Sequence, residues 1–323
     1  MNFKKSREIF SFPGAPKEEQ ERFQEQGEEL GRKRVEADQR SPEFKEHKEF
    51  LDKVDFKLLQ EIFRELAEKS SLDPKQMNFL GPERIVDGSF GNIGEYNSYK
   101  NIIGLSHWNI EKNAEQENLD IYLLTLKTLI HEETHATSRI ECYQDMQLKN
   151  IAREKMGFAQ AVRETTEQGS RWKIFFFDFN EGITEKICRE VMREYSIRSQ
   201  SINHQAVEKF LELSPIYKDA REMVDTIISV FAKKTGFSPD FIWKGFIRGL
   251  YQGDDLYKKE LYDLFEETLG VSSVDALARG ELPIGTQKDQ VDLSAKTKES
   301  TKLKERLIKI FQRMRHIQTK KVV

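Results

Sequence analysis

The most constraining stretch of this chain is its middle, Leu126-Lys127-Thr128-Leu129-Ile130-His131-Glu132-Glu133-Thr134-His135-Ala136-Thr137. It lies inside a helical pattern predicted from about 117 to 147. Ile121, Leu123, Leu124, Leu126, Leu129 and Ile130 precede the polar cluster, and a helix that apolar must be buried to be stable. Imidazoles and carboxylates carried into a buried site need partners, because an unmatched polar group in low dielectric is costly. This segment therefore fixes a central buried helix with a chemically loaded end.

The spacing of that end is H-E-x-x-H. Residues four apart lie on one helix face, about 6 Å along the axis. Two imidazoles so placed, His131 and His135, can converge on one Zn2+ at about 2.0–2.1 Å. Glu132 would point toward the water that the metal acidifies, where it can act as general base. A zinc enzyme needs a third protein ligand and an open position. His47, His107, His204 and His316 are scattered, and Cys142, placed two turns beyond His135 on the same predicted helix, reads as core packing. One glutamate has informative company, in Phe179-Asn180-Glu181-Gly182-Ile183-Thr184-Glu185.

H-E-x-x-H followed by N-E-G-x-x-E resembles the glutamate-zincins, the clan of metallopeptidases that includes thermolysin and the aminopeptidases. The resemblance covers residues from about 94 to 196 and identifies no subfamily; the 45 residues between His135 and Glu181 exceed the spacer of thermolysin. It implies that Glu181 is the third zinc ligand and that Glu185, one turn on, hydrogen-bonds a ligand histidine from behind. It further implies an edge strand that pairs with extended substrate, here within Tyr96–Ser106, and an oxyanion-stabilising Tyr or His for which Tyr217, His204 and Tyr251 are candidates. The expected activity is hydrolysis of a peptide or protein substrate. The alternative is an inactive zincin-like scaffold that binds without turnover. A carboxylate-bridged di-iron site is disfavoured, because Glu132-x-x-His135 has no second E-x-x-H copy.

Around this centre the expected fold is α+β and zincin-like. A small sheet with glycine turns is predicted between Met77 and Leu105, where Gly88, Gly91 and Gly94 read as hairpin glycines rather than a phosphate loop. Helices are predicted from Pro42 to Lys69, from about Glu117 to Gln147, and in a charged stretch from there to about Gln168. The run Lys173–Phe179 reads as a buried strand or an extended lead-in, with helices at about 181–199, 205–213, 217–234, 239–252, 256–269 and 273–280. Residues 1–45 read as a mobile charged arm with at most a transient helix over 17–38. Residues 46–200 are the expected catalytic core, 201–283 a helical C-terminal subdomain, and 284–323 a linker and basic amphipathic helix.

Composition closes off other classes. The net charge of −3 argues for no nucleic-acid partner, and the basic helix over 302–320 is expected to dock on its own domain. No transmembrane segment is evident. Two cysteines, Cys142 and Cys188, form no thiolate metal pair or disulfide framework, which with the absence of a signal-like N-terminus points to a cytoplasmic setting.

Overall fold

The computed structural model describes residues 7–10, 16–41, 44–88, 92–144, 151–166, 169–253, 256, 258–281, 305 and 307–308. Its chain divides into two units. The first comprises Met1–Leu66, Asp73–Glu154 and Thr184–Ile216, and the second Ala67–Leu72, Lys155–Ile183 and Tyr217–Val323. Mixed helices and small sheets make the class α+β.

The first unit opens with β1 (Arg7–Phe10), α1 (Lys17–Asp38), α2 (Phe44–Leu51) and α3 (Phe56–Lys69). A small three-stranded sheet follows, built of β2 (Ile85–Asp87), β3 (Gly94–Asn97) and β4 (Ile102–Leu105) in the order β2-β4-β3. β2 runs parallel to β4, with Ile85 opposite Ile103, whereas β3 is antiparallel, with Gly94 opposite Leu105. After α4 (His107–Glu117) comes α5 (Ile121–Thr137), then β5 (Ile140–Gln144), which pairs in parallel with β1. Leu59, Phe63, Val86, Ile103, Leu105, Leu124, Leu126, Leu129 and Ile130 are all essentially inaccessible, and burial of each such side chain stabilises by about 1.5–3 kcal/mol.

β6 (Ile151–Met156) leads into the second unit, where β7 (Ala159–Thr166) and β8 (Gly169–Phe175) form an antiparallel hairpin. α6 (Phe177–Arg198) is one continuous helix that starts in the second unit and ends in the first. α7 (His204–Leu213) completes the first unit. The second adds α8 (Lys218–Thr235), α9 (Pro239–Gln252), α10 (Lys259–Leu269) and α11 (Ser273–Ala278). Its core is aromatic: Phe179 meets Phe158, Phe246 and Phe265 at centroid distances of 5.3, 5.6 and 6.1 Å, and Phe231 meets Phe265 at 5.1 Å.

Four expectations change. Residues 17–38 are a packed helix, not a mobile arm. Its contact surface is made of Phe23, Val35 and two glycines, too few large apolar groups for the sequence pattern to register. A Cβ at Gly27 would lie 2.2 Å from the Tyr99 carbonyl oxygen and one at Gly31 2.1 Å from that of Lys100, so α1 sits directly on the β3–β4 turn. The helix predicted over 42–69 breaks into α2 and α3 at Asp52–Asp55. The helical pattern of 117–168 ends at Thr137 and gives way to strands β5, β6 and β7, so Cys142 lies on β5. Finally, most of β8 is exposed, and α6 begins immediately after it at Phe177. Residues 284–300 and the basic helix expected over 302–320 lie outside the described residues, apart from Glu305, Leu307 and Ile308.

Candidate metal centre

α5 starts cleanly, with the Asp120 side chain accepting the Leu123 N–H at 2.9 Å. From Leu123 to Thr137 every residue is buried. Its threonines are tolerated there because each hydroxyl is satisfied within the helix: Thr125, Thr128, Thr134 and Thr137 donate to the carbonyls of Ile121, Leu124, Ile130 and Glu133 at 2.7–2.8 Å. The helix stops as Ser138 turns extended and its hydroxyl donates to the His135 carbonyl at 2.7 Å.

His131 and His135 lie on one face of this helix, their ring centroids 4.9 Å apart and their planes inclined at 75°. α6 brings Glu181 to them. Ligand atoms of His131, His135 and Glu181 all fall within 4.8 Å of one another, and all three residues are buried. Near the start of α6, Asn180 Oδ1 accepts the N–H groups of Phe158 and Ala159 at 3.0 and 3.4 Å, which anchors the turn before Glu181. One turn later Glu185 Oε2 stands 3.6 Å from His131 Nδ1.

Glu185 has two further partners that the sequence reading misses. Lys127 Nζ, one turn before His131, lies 2.9 Å from Oε2, and Arg189 Nε donates to Oε1 at 2.6 Å. Arg189 also donates to the carbonyls of Leu211 and Ser214 at the end of α7. All three charged residues are at most 4% exposed. Burial works against the Glu185 carboxylate, but the Lys127 ammonium and the neighbouring His131 imidazole hold it at about 2. The signals were present: Lys127 is a lone charge in an apolar helix, and Arg189 is four residues from Glu185.

Two donor groups share His131, and their chemistry separates them. In His131–Glu185–Cys188 the carboxylate already bonds two cations. There the thiol is pushed well up by burial and by Glu185, and it donates to the Lys127 carbonyl at 3.3 Å. That set suits no dication. His131, His135 and Glu181 offer two imidazoles and one carboxylate, the ligand set of a three-coordinate protein site with an open position.

Glu132 is 8% exposed and lies outside both donor groups, against β3. Its neighbour Glu133 is a structural residue. It is fully buried, accepts the Leu80 N–H at 3.2 Å through Oε2, and burial raises its carboxyl well above the usual range. Glu154 on β6 is also raised by burial; Ser98 hydrogen-bonds it, Glu95 adds to the rise and His135 opposes it.

Among the oxyanion candidates, His204 Nδ1 lies 2.8 Å from Ser196 Oγ, whose hydroxyl donates to the Arg193 carbonyl, so the imidazole holds the start of α7. Tyr217 precedes α8 in the left-handed conformation and Tyr251 sits in α9, both in the second unit. Comparison with protein-family models, curated proteins and solved structures gives no match. The chemistry of the site is therefore read from its own residues.

Proposed function

We propose that this chain is a zinc-dependent metallopeptidase of zincin-like fold, with His131, His135 and Glu181 as metal ligands and Glu132 as general base. The observation that carries the reading is the convergence of two imidazoles and a carboxylate from two helices, their ligand atoms within 4.8 Å of one another. Zinc, when bound, supplies Lewis-acid polarisation of the scissile carbonyl and acidifies water at neutral pH.

The protein's own residues do the rest. Glu132, beside His131 on the same helix, takes a proton from the attacking water through its carboxylate and returns it to the leaving amine. Glu185 holds the His131 ring by Nδ1, and the Lys127 and Arg189 cations keep that carboxylate ionised and in place. β3, at one edge of the small sheet, gives an extended peptide backbone a strand to pair with. Two buried cysteines, neither in a disulfide, suit the reducing cytoplasm, where we place the protein. No helix among the described residues is long and apolar enough to cross a membrane.

The test is cleavage of a quenched fluorescent peptide library by the zinc-loaded protein. Chelation should abolish cleavage and zinc should restore it. Glu132→Gln should retain the metal while kcat falls by about 10²–10⁴-fold. A protein that keeps its zinc but cleaves nothing would instead be a scaffold with a zincin-like site.

A further inference from the structure

Gly94 opens β3 at the point where the strand passes α5. A Cβ built there would stand 2.5 Å from Thr128 Cγ2, 3.0 Å from Glu132 Oε1 and 3.1 Å from Glu132 Cγ. Its φ is not positive, so space rather than backbone conformation calls for glycine at this position.

Three parts of that contact are pinned. The strand is held by its ladder, with Gly94 opposite Leu105, and by the Ser106 N–H donating to the Ile93 carbonyl at 2.9 Å. The far end of the hairpin is held by α1, whose Gly27 and Gly31 meet the Tyr99 and Lys100 carbonyls and whose Glu28 accepts from Asn101 Nδ2 at 3.2 Å. Thr128 is held by its hydroxyl, which donates to the Leu124 carbonyl at 2.8 Å. The remaining neighbour of that Cβ is the Glu132 side chain, at 3.0 Å through Oε1.

We infer that Gly94 is a positioning residue for Glu132: the bare strand backbone forms one wall of the seat that sets where this carboxylate stands. The inference rests on the reading of Glu132 as general base, and it adds a residue outside the metal's ligand set. Any side chain at position 94 displaces the carboxylate by a few tenths of an ångström or more, and proton transfer is steeply sensitive to such misplacement.

The experiment compares Gly94→Ala, Thr128→Ser and the double variant with the wild type, on a fluorogenic peptide that the wild type cleaves. Thr128→Ser keeps the hydroxyl bond to Leu124 and removes the Cγ2 atom that makes the tightest contact. Expected are a kcat lowered about tenfold or more in Gly94→Ala and still lowered in the double variant, with KM within about twofold and zinc retained. Thr128→Ser alone should be close to wild type. Wild-type kcat in Gly94→Ala, or its full restoration in the double variant, would overturn the inference. Loss of zinc from both Gly94 variants would also overturn it, by showing that the glycine serves the fold. A wild-type protein that binds zinc and cleaves no peptide contradicts the peptidase reading, an outcome distinct from each of these.

Discussion

His131 has two faces, and the chain furnishes them in opposite ways. Behind the ring, at Nδ1, the charged groups are paired and locked: Glu185 lies between Lys127 and Arg189, and the guanidinium also donates to two carbonyls at the end of α7. In front, the same helix and its neighbour gather His135 and Glu181 around one point. The rear arrangement is a structural device that joins α5, α6 and α7, and it gains from being complete. The front arrangement concentrates lone pairs, which favours folding only once a cation is bound. The difference separates residues that hold the site from residues that act in it.

Substitutions should divide along the same line. The largest effect belongs to the front, where Glu132→Gln lowers turnover by about 10²–10⁴-fold with metal and fold retained. At the rear the expected loss is of stability. Lys127→Met leaves the buried Glu185 short of a partner, and breaking a buried pair in this way costs up to about 3–5 kcal/mol, measured by urea unfolding of the metal-free protein. A Lys127→Met variant of normal stability with altered turnover would collapse the distinction between the two faces.

A smaller effect comes from a second buried histidine. His47 is fully buried, and its Nδ1 lies 3.1 Å from His107 Nε2. Burial, helped by His107 and opposed by Asp87, pushes its pKa down to about 4. The folded state therefore resists protonation while the unfolded chain accepts it near 6.5. Stability is full above pH 6.5 and is lost as pH falls toward 4, by at most about 3 kcal/mol. Melting temperatures of His47→Gln across that window should decline less than those of the wild type. An unchanged pH slope would show that other groups govern acid sensitivity.

The sequence displayed the front face far better than the rear. H-E-x-x-H and N-E-G-x-x-E are local patterns whose spacing already states which side chains share a helix face, and α5 and α6 carry them together. Most of the C-terminal helices were legible for the same reason, from apolar period and from the glycines at 236, 253 and 270 that follow α8, α9 and α10. What stayed hidden depends on distant neighbours. Strands β5 to β7 intersperse their apolar residues with Glu, Lys and Arg, and only pairing makes them strands. α1 buries glycines against a hairpin turn, a contact that hydrophobic periodicity cannot register. Gly94 read as a turn residue because the side chains that crowd it, Thr128 and Glu132, lie 34 and 38 positions away.

The central claim is that His131, His135 and Glu181 bind zinc, and metal content tests it most directly. Plasma mass spectrometry of the purified protein, after zinc loading and removal of excess, should give about one zinc per chain, lost in His135→Ala and greatly reduced in Glu181→Ala. No stoichiometric zinc in the wild type, or zinc retained in full by His135→Ala, would contradict the account.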